Sequence, residues 1–397
     1  MNSIGDIKNQ NILLLQGPMG SFFKRFDKSL RKKGAKTYKI AFNAGDWFFS
    51  NKDNVISFKD SPKNWKKFIT SFYKEKNINK LFLFGDCRFY QQIAKEVAET
   101  VGVEVFVFEE GYIRPNYITL EKHGVNDNSK LPRSREFYDL LTINTSLDHA
   151  REMYNNFSLQ IMSAIIYFII AKTFIFLYPK YIHHRDLYPL TEAFYGIRSF
   201  FRKIIYSLRD EKYNEILSTI LSKKYFFVPL QTNSDFQVRQ HSNFKDIKDF
   251  IVLVLESFAK NASKFDYIIF KHHPLDRGRK NYTKLIYNLS KKLCVEKRVI
   301  VAHEINIPTA LKNAKGTVTI NSTVGLSSLY HETPTITLGK AIYNIDGLTC
   351  KSISIDQFWS CLIIPNAELF KKFRAYLIKN SQVNSSFYGK IGDLENI

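Results

Sequence analysis

The sequence predicts an α/β fold with two facing Rossmann-like domains, a cleft between them and an inserted apolar helical segment. Two observations lead to this prediction. Short apolar or β-branched runs alternate with helical stretches in both halves of the chain, which is typical of parallel sheets with crossover helices. The two halves are separated by a long apolar segment that shows no strand pattern.

Length and charge bound the possible functions. The chain has 397 residues, which is enough for two domains of ordinary size, and 45% of them are hydrophobic. Its net charge of +21 is spread along the chain, so we expect an anionic partner such as nucleic acid, lipid or a small molecule. The four cysteines contain no C-x-x-C pair, which argues against a zinc site or a disulfide framework and favours a reducing cytoplasm. The first residues lack the pattern of a signal peptide.

The N-terminal domain is predicted to span residues 1–150 and to begin as a β-loop-α-β unit. A helix capped by Ser21 runs to about Lys33, and a second helix spans Phe89 to Val101. Residues 117–124 are expected to add a short hairpin arm. The predicted strands of this domain are Asn11–Leu15, Lys36–Phe42, Leu81–Phe84 and Val103–Phe108.

Polar side chains follow the ends of these strands. Because the carboxyl ends of parallel strands form one edge of a sheet, we expect a ligand to bind there. Glu109 and Glu110 are adjacent carboxylates that are suited to acid–base catalysis. In the alternative, one of them is solvated and the other pairs with Arg114.

Residues 151–222 form the inserted helical segment. Between Ile161 and Tyr178 the one charged residue is Lys172, so this helix is apolar on every face. Three placements remain open: an interfacial helix on an anionic leaflet, a buried core helix and a membrane span of marginal length. The basic residues expected to contact anionic head groups are Lys180, Arg185, Arg198, Arg202 and Lys203.

The C-terminal domain is predicted to span residues 223–345, and residues 346–397 are predicted to form helices that pack back on the N-terminal domain. Helices are expected at Lys245–Ala259 and Ile307–Asn313. Asp235, His273 and Glu304 each follow a predicted strand. The predicted strands are Tyr225–Leu230, Tyr267–Lys271, Val299–Ala302, Thr317–Ile320 and Thr335–Leu338.

Residues 316–330 carry the clearest ligand signal. A β-branched strand is followed at once by the polar run 321–323, Asn-Ser-Thr, and then by a helical stretch. Backbone N–H groups and the helix dipole at such a turn favour an anion, and the hydroxyl groups add donors. The alternative is an ordinary helix cap on an α/β crossover.

Strand-end polar residues in both domains predict a ligand cleft, which is a GT-B-like arrangement. The segments that hold them resemble the capsule polysaccharide biosynthesis/export family of the KpsS/LipB type. Each motif alone is weak, but the set is specific and covers most of the chain. The matching motifs are Leu14–Pro18, Phe42–Asp46, Gly85–Arg88, Phe108–Pro115, Pro229–Asp235, Asn321–Leu326 and Leu338–Tyr343.

Members of this family are retaining β-Kdo glycosyltransferases. The resemblance therefore implies that the chain takes Kdo from CMP-Kdo and starts the poly-Kdo linker of a capsular polysaccharide on phosphatidylglycerol or its lyso form. It implies a cytoplasmic enzyme bound peripherally to the inner face of the bacterial cytoplasmic membrane. Its implied partners are an anionic phospholipid and other capsule biosynthesis or export proteins, without nucleic acid. No cofactor and no metal are expected.

The resemblance also implies catalytic roles. Asp235 matches the nucleophile of related retaining Kdo transferases, which attacks C2 of Kdo and holds a covalent glycosyl-enzyme. The alternative for Asp235 is a loop aspartate that caps a turn. Glu110, or as second choice Glu109, resembles the carboxylate that activates the acceptor. The implied acceptor and sugar cleft contains Gln16, Gly17, Asp86 and Arg114.

The donor-binding residues follow from the same resemblance. His273, Ser322 and Thr323 resemble ligands of the CMP phosphate. Glu304 resembles a ribose-binding glutamate, since a carboxylate accepts from both ribose hydroxyls. The Kdo carboxylate is assigned to Lys271 and Arg239. The implied CMP-sugar set is completed by Gln231, Pro274 and Asn321.

Two other functions remain open from the sequence. The Glu-Glu-Gly and His-Pro elements also resemble bacterial sialyltransferases, which predicts a CMP-sialic acid-dependent transferase as the alternative. The basic charge also permits a non-catalytic RNA-binding or capsule-assembly protein, although no RNA-binding signature is present.

Overall fold

The computed structural model of the protein describes residues 4–143, 150–154, 156–182, 189–232, 238 and 242–395. These residues form two compact units. The first unit contains the described residues within 1–130, 146–189 and 375–397, and the second contains those within 131–145 and 190–374. Each unit is built on a sheet of mainly parallel strands, which confirms the predicted α/β fold class with two Rossmann-like units.

The units divide the chain at other places than the predicted domains. The inserted segment 151–222 is shared between the units, because the chain passes from the first to the second at residue 189. The C-terminal residues are also shared, since those from Ala375 onward belong to the first unit. Sequence patterning marks elements well, but the assignment of a connecting helix to a unit depends on tertiary contacts.

The strands, in chain order, are β1 (Asn11–Leu14), β2 (Lys36–Ala41), β3 (Val55–Ser57), β4 (Lys80–Phe84), β5 (Glu104–Glu110), β6 (Tyr117–Lys122), β7 (Tyr225–Pro229), β8 (Tyr267–Lys271), β9 (Val299–Ala302), β10 (Gly316–Thr319), β11 (Thr335–Thr337) and β12 (Gln382–Asn384). The α-helices of the described residues are α1 (Phe22–Lys32), α2 (Ala44–Phe48), α3 (Trp65–Glu75), α4 (Phe89–Thr100), α5 (Arg135–Leu140), α6 (Phe157–Thr173), α7 (Pro189–Ser218), α8 (Ile247–Asn261), α9 (Thr283–Lys292), α10 (Ile307–Asn313), α11 (Val324–Tyr330), α12 (Ile355–Phe358) and α13 (Ala367–Ser381).

The sheet of the first unit has the strand order β3-β2-β1-β4-β5-β6-β12. Strands β1 to β5 are parallel, and β6 pairs antiparallel with β5, so the predicted hairpin arm is an additional strand of this sheet. The parallel strands are covered on both faces, which explains why Leu13 and Leu14 are both fully buried. Phe22 and Phe26 of α1 pack edge-on against Phe108 of β5.

The sheet of the second unit is entirely parallel, with the order β11-β10-β7-β8-β9. Its core contains Phe226 of β7, Phe258 of α8 and Trp359, whose indole N–H donates to the Ser257 hydroxyl at 2.8 Å. The carboxyl ends of the strands therefore form one edge in each sheet, and these edges carry the candidate site residues.

Helix α6 is the apolar helix of the inserted segment, and it lies on the surface of the first unit. Its buried residues are Ser163 and Tyr167, whereas Met162, Ile165 and Ile169 are each about half exposed. None of the helices in the described parts of the chain is both long and apolar enough to cross a bilayer.

The basic residues flanking the apolar stretches do not all face solvent as expected. Arg198 and Arg202 of α7 are partly buried and donate to backbone carbonyl groups of residues 277–279, and their expected contact with head groups stays a prediction. Lys180 forms an exposed ion pair with Asp60 at 3.4 Å. Lys203 is exposed. Arg185 lies outside the described residues.

Candidate functional site

The strand ends of the first unit collect acidic side chains. Asp46 follows β2, Asp86 follows β4, and Glu109 and Glu110 are the last two residues of β5. Their strands are parallel and lie within the consecutive order β2-β1-β4-β5, so the carboxylates share one edge of the sheet.

Glu109 and Glu110 are both partly buried. The Glu109 carboxylate accepts a hydrogen bond from the backbone N–H of Glu110 at 3.0 Å. Burial raises the pKa of Glu109 to about 7, although that hydrogen bond and the Arg88 charge oppose the shift. Among the described residues neither glutamate forms an ion pair. Arg114, the partner considered from the sequence, donates instead to the Gly111 carbonyl at 3.1 Å.

Asp86 is buried, and its carboxylate forms an ion pair and a hydrogen bond. Its carboxylate forms an ion pair with Lys95 at 3.1 Å and accepts from the Asn128 amide at 2.9 Å. A side chain at Gly124 would lie 2.9 Å from the same carboxylate, so the close approach of this loop requires glycine. The geometry assigns Asp86 to holding the strand-end loops together.

A buried polar cluster surrounds Asp46. Its carboxylate accepts from the Gln16 amide at 3.0 Å, from the Phe42 backbone N–H at 3.0 Å and from the Tyr167 hydroxyl at 2.9 Å. The Asn43 amide donates to the Tyr167 hydroxyl at 2.7 Å. Burial raises the pKa of Asp46 despite these bonds and the nearby Lys39. Tyr167 belongs to α6, so this cluster fixes the apolar helix on the first unit.

The remaining predicted residues of this edge have structural contacts. Gln16 is buried within the Asp46 cluster. Gly17 lies against the ring of Phe23, where an added Cβ would approach to 2.8 Å.

The second unit places the Asn-Ser-Thr run where β10 turns into α11. Gln231, which follows β7, donates to the Asn321 side chain at 2.9 Å and accepts from the Asn321 backbone N–H at 3.2 Å. The Ser322 hydroxyl accepts from the Val324 backbone N–H at 3.2 Å. Within the described residues the Thr323 side chain makes no hydrogen bond, although it stands at the helix cap.

His273 caps the turn that begins at Pro274. Its Nδ1 accepts from the Leu275 backbone N–H at 3.1 Å, so the neutral ring carries its proton on Nε2. That N–H is of the donor type that a phosphate oxygen requires. Pro274 is exposed at the first position of a 3₁₀ turn, Pro274–Asp276.

Glu304, which follows β9, forms an ion pair. Its carboxylate accepts from Arg277, with the Nε of the guanidinium at 2.8 Å. Asp210 of α7 is fully buried and accepts from the backbone N–H groups of His303 and Glu304 at 2.6 and 3.0 Å. This aspartate ties the end of β9 to α7.

Basic groups fill the neighbouring strand ends. Lys271 is buried, its ammonium donates to the His272 carbonyl at 3.1 Å, and burial lowers its pKa. The rings of His272 and His303 stack with centroids 4.1 Å apart, and Tyr206 stacks on His303 at 3.9 Å. Burial lowers the pKa of His272 to about 4, and that of His303 is also lowered, so both rings are neutral at physiological pH.

Asp235 and Arg239 lie outside the described residues, so their predicted roles stay predictions. The structure adds four residues that sequence reasoning missed: Asp46, Tyr167, Asp210 and Arg277. Asp46 lies within a motif that was noted, but the other three are isolated in sequence from the strand ends they contact. No local pattern marks such long-range contacts.

Comparison with known proteins gives concordant matches. A family model described as capsule polysaccharide biosynthesis protein matches residues 79–388. The chain is 36% identical over 382 residues to the capsule polysaccharide export protein KpsS of Escherichia coli, covering 96% of this chain and 98% of that protein. It is 36% identical over 392 residues to the capsule polysaccharide modification protein LipB of Neisseria meningitidis serogroup A, covering 96% and 92%.

Among solved structures, the chain is similar to KpsC of Thermosulfurimonas dismutans, a beta Kdo 2,7 transferase. The sequence identity is 14%, the TM-score is 0.45, and the match covers 94% of this chain and 92% of that chain.

Proposed function

This chain belongs to the capsule polysaccharide biosynthesis protein family, and we propose that it is a retaining β-Kdo glycosyltransferase. In this proposal it moves Kdo from CMP-Kdo to phosphatidylglycerol or its lyso form and so starts the poly-Kdo linker of a capsular polysaccharide. The family assignment supports a role in capsule biosynthesis. The strand-end motifs shared with retaining Kdo transferases support the donor.

The observation that carries the proposal is the family match over residues 79–388, and Glu109 at the end of β5 is the proposed acid–base group within it. A general base works best when its pKa lies near the working pH, and burial raises the pKa of Glu109 to about 7. The resemblance favoured Glu110, but the electrostatics favour Glu109 as the base that takes the proton of the acceptor hydroxyl. Glu110 then contributes its backbone N–H, which holds the Glu109 carboxylate.

The donor side of the proposal uses the second unit. The His273 ring, the Ser322 and Thr323 hydroxyls and the turn that leads into α11 hold the CMP phosphate. The carboxylate of Glu304, oriented by Arg277, accepts from the ribose hydroxyls. Asn321 and Gln231 brace this turn, and the Lys271 amine is proposed as a hydrogen-bond donor to the Kdo carboxylate.

The proposed reaction proceeds by double displacement. The Asp235 carboxylate attacks C2 of Kdo, the bond from C2 to the phosphate oxygen breaks, and CMP leaves with that electron pair. Glu109 then takes the proton of the acceptor hydroxyl, whose oxygen attacks C2 and releases Asp235. Two inversions at C2 give retention of configuration.

The proposed location is the cytoplasmic face of the bacterial inner membrane, with peripheral attachment. A lipid acceptor is reached most directly by an enzyme that lies on the bilayer. The exposed apolar residues of α6 provide area for such contact, and the net charge of +21 favours an anionic leaflet. Other capsule biosynthesis or export proteins are proposed as further partners.

Mass spectrometry of a short-chain lysophosphatidylglycerol after incubation with the protein and CMP-Kdo tests the proposal. We expect product masses increased by one or more Kdo residues, with release of CMP. CMP-sialic acid serves as the control donor and should give no product. Transfer from CMP-sialic acid alone, or no CMP release from either donor, would contradict the proposed function.

A further inference from the structure

The carboxyl ends of β8 and β9 carry a stack of three aromatic rings. The strand register pairs Lys271 with Ala302, and the next backbone N–H, that of His272, donates to the Ala302 carbonyl at 2.9 Å. His272 and His303 are therefore neighbours across the two strand ends. Their rings stack with centroids 4.1 Å apart, and the ring of Tyr206 from α7 lies on the other face of His303 at 3.9 Å. These three side chains are called the ring stack.

Helix α7 holds the end of β9 in two ways. Tyr206 packs its ring on the ring of His303. Asp210, one turn further along the helix, accepts from the backbone N–H groups of His303 and Glu304 at 2.6 and 3.0 Å. The side chain and the backbone at this strand end are therefore fixed together.

His303 contributes to the ring stack by packing. Its side chain is buried, and among the described residues its Nδ1 has no hydrogen-bond partner. Its Nε2 lies 3.4 Å from the Thr283 hydroxyl, which is a long contact for a hydrogen bond. A buried polar atom without a partner destabilises a fold, so the ring is retained here for its shape and position.

Each histidine of the ring stack is followed at once by a candidate donor-binding residue. His273 comes after His272, and Glu304 comes after His303. Because a planar peptide bond joins the two residues of each pair, fixing the first residue restricts the direction of the second side chain. The ring of His272 is fixed further, since its Nε2 accepts from the Tyr282 backbone N–H at 2.8 Å.

We propose that the ring stack positions Glu304 relative to His273, so that the ribose and the phosphate of one nucleotide are bound together. The roles of these two residues rest on the proposed function. The 2′-hydroxyl and the 5′-phosphate lie on opposite sides of the same sugar, so their protein partners must keep a fixed spacing. Tyr206 and His303 are positioning residues, because they act on the nucleotide through Glu304.

Calorimetric titration of the full chain with CMP and with 2′-deoxy-CMP tests this inference. The ratio of the two affinities reports the contact between Glu304 and the 2′-hydroxyl. A variant that merely lowers the folded fraction weakens both nucleotides by the same factor, so the ratio separates positioning from stability. We expect the wild type to prefer CMP at least about 10-fold, as for one hydrogen bond to a charged group.

His303→Ala and Tyr206→Ala should each lower this preference to about 3-fold or less, because a stretched hydrogen bond retains only part of its free energy. Tyr206→Ala supplies the test on its own if His303→Ala fails to fold. His303→Phe and Tyr206→Phe keep a ring in the ring stack and should therefore retain most of the preference. Phe265→Ala, at an exposed position of the same unit, is the matched control and should keep the wild-type preference.

Three results would overturn the inference. The first is an unchanged preference for CMP in the folded alanine variants. The second is an equal loss of preference in the alanine and phenylalanine variants, which would assign the effect to polar atoms and not to the rings. The third is a wild type that binds both nucleotides equally, because Glu304 would then make no ribose contact. Absence of CMP binding by the wild type would instead contradict the proposed donor itself.

Discussion

The strand ends of the two sheets differ in the titratable groups that they carry. In the first unit they carry Asp46, Asp86, Glu109 and Glu110, and burial raises the pKa of Asp46 and Glu109. In the second unit the corresponding edge carries Lys271, the three histidines 272, 273 and 303, and Glu304, which pairs with Arg277. Burial lowers the pKa of Lys271, His272 and His303. Burial therefore favours the uncharged forms of Asp46 and Glu109 in the first unit and of Lys271, His272 and His303 in the second.

This difference assigns separate tasks to the two edges. A carboxylate that is half ionised near pH 7 is suited to moving a proton, whereas hydroxyl groups and neutral imidazoles are suited to holding a phosphate. The net charge of +21 does not indicate how the titratable groups are divided between the two sheets. Variants at the strand ends of the first unit should therefore change the rate of the chemical step, and variants at the strand ends of the second unit should change CMP binding.

The largest expected effect comes from Glu109→Gln. Removal of the general base should lower kcat for Kdo transfer about 10²–10⁴-fold, because an amide cannot accept the acceptor proton. CMP affinity, measured by calorimetry, should stay near the wild-type value. Glu110→Gln is the matched control, since its backbone N–H remains. Wild-type turnover by Glu109→Gln would remove Glu109 from the mechanism.

The next largest effect is expected on CMP binding at the strand ends of the second unit. Ser322→Ala combined with Thr323→Ala should weaken CMP binding by about 1–3 kcal/mol, because hydrogen bonds to a charged phosphate are lost. Ser327→Ala, an exposed serine on the same helix, is the control and should leave CMP affinity unchanged. Unaltered CMP affinity in the double variant would show that the turn before α11 is an ordinary helix cap.

A smaller effect is expected on the pH dependence of protein stability, and it comes from the buried His272 of the second unit. An unfolded histidine takes up a proton near pH 6.5, whereas burial lowers the pKa of His272 to about 4. The unfolded state therefore binds more protons below about pH 6.5, and the stability contributed by neutral His272 is lost as the pH falls. Between pH 8 and pH 5 this loss is on the order of 2 kcal/mol.

Denaturant unfolding of wild type and His272→Gln at both pH values measures this loss. The variant should lose less stability between pH 8 and pH 5 than the wild type, because glutamine still accepts from the Tyr282 backbone N–H but does not titrate. His123→Gln, at an exposed position, should keep the wild-type difference. Identical pH dependence in His272→Gln and wild type would place the acid sensitivity elsewhere.

The sequence alone predicted the secondary-structure elements that depend on the local hydrophobic pattern. The β-branched run before Asn321 and the apolar runs before Gln16 and Glu109 are buried strands, as predicted, because parallel strands are covered on both faces. The family resemblance is confirmed by the match over residues 79–388.

Contacts between distant segments could not be predicted in the same way. Tyr167 lies in an apolar helix whose sequence shows no face, yet its hydroxyl is fixed by Asp46 and Asn43. Arg198 and Arg202 look like membrane-binding charges, yet both donate to backbone carbonyl groups. In each case the partner is far away in sequence, so composition and periodicity carry no information about it.

The pH dependence of kcat/KM for the acceptor, a short-chain lysophosphatidylglycerol, tests the central claim most directly, because in the double displacement this ratio reports the pKa of groups in the glycosyl-enzyme with which the acceptor reacts. A base must be ionised to act, so activity should rise with pH and reach half its maximum near the Glu109 pKa of about 7. This rise should persist in Glu110→Gln and disappear in Glu109→Gln. A rise that disappears in Glu110→Gln but persists in Glu109→Gln would contradict the account.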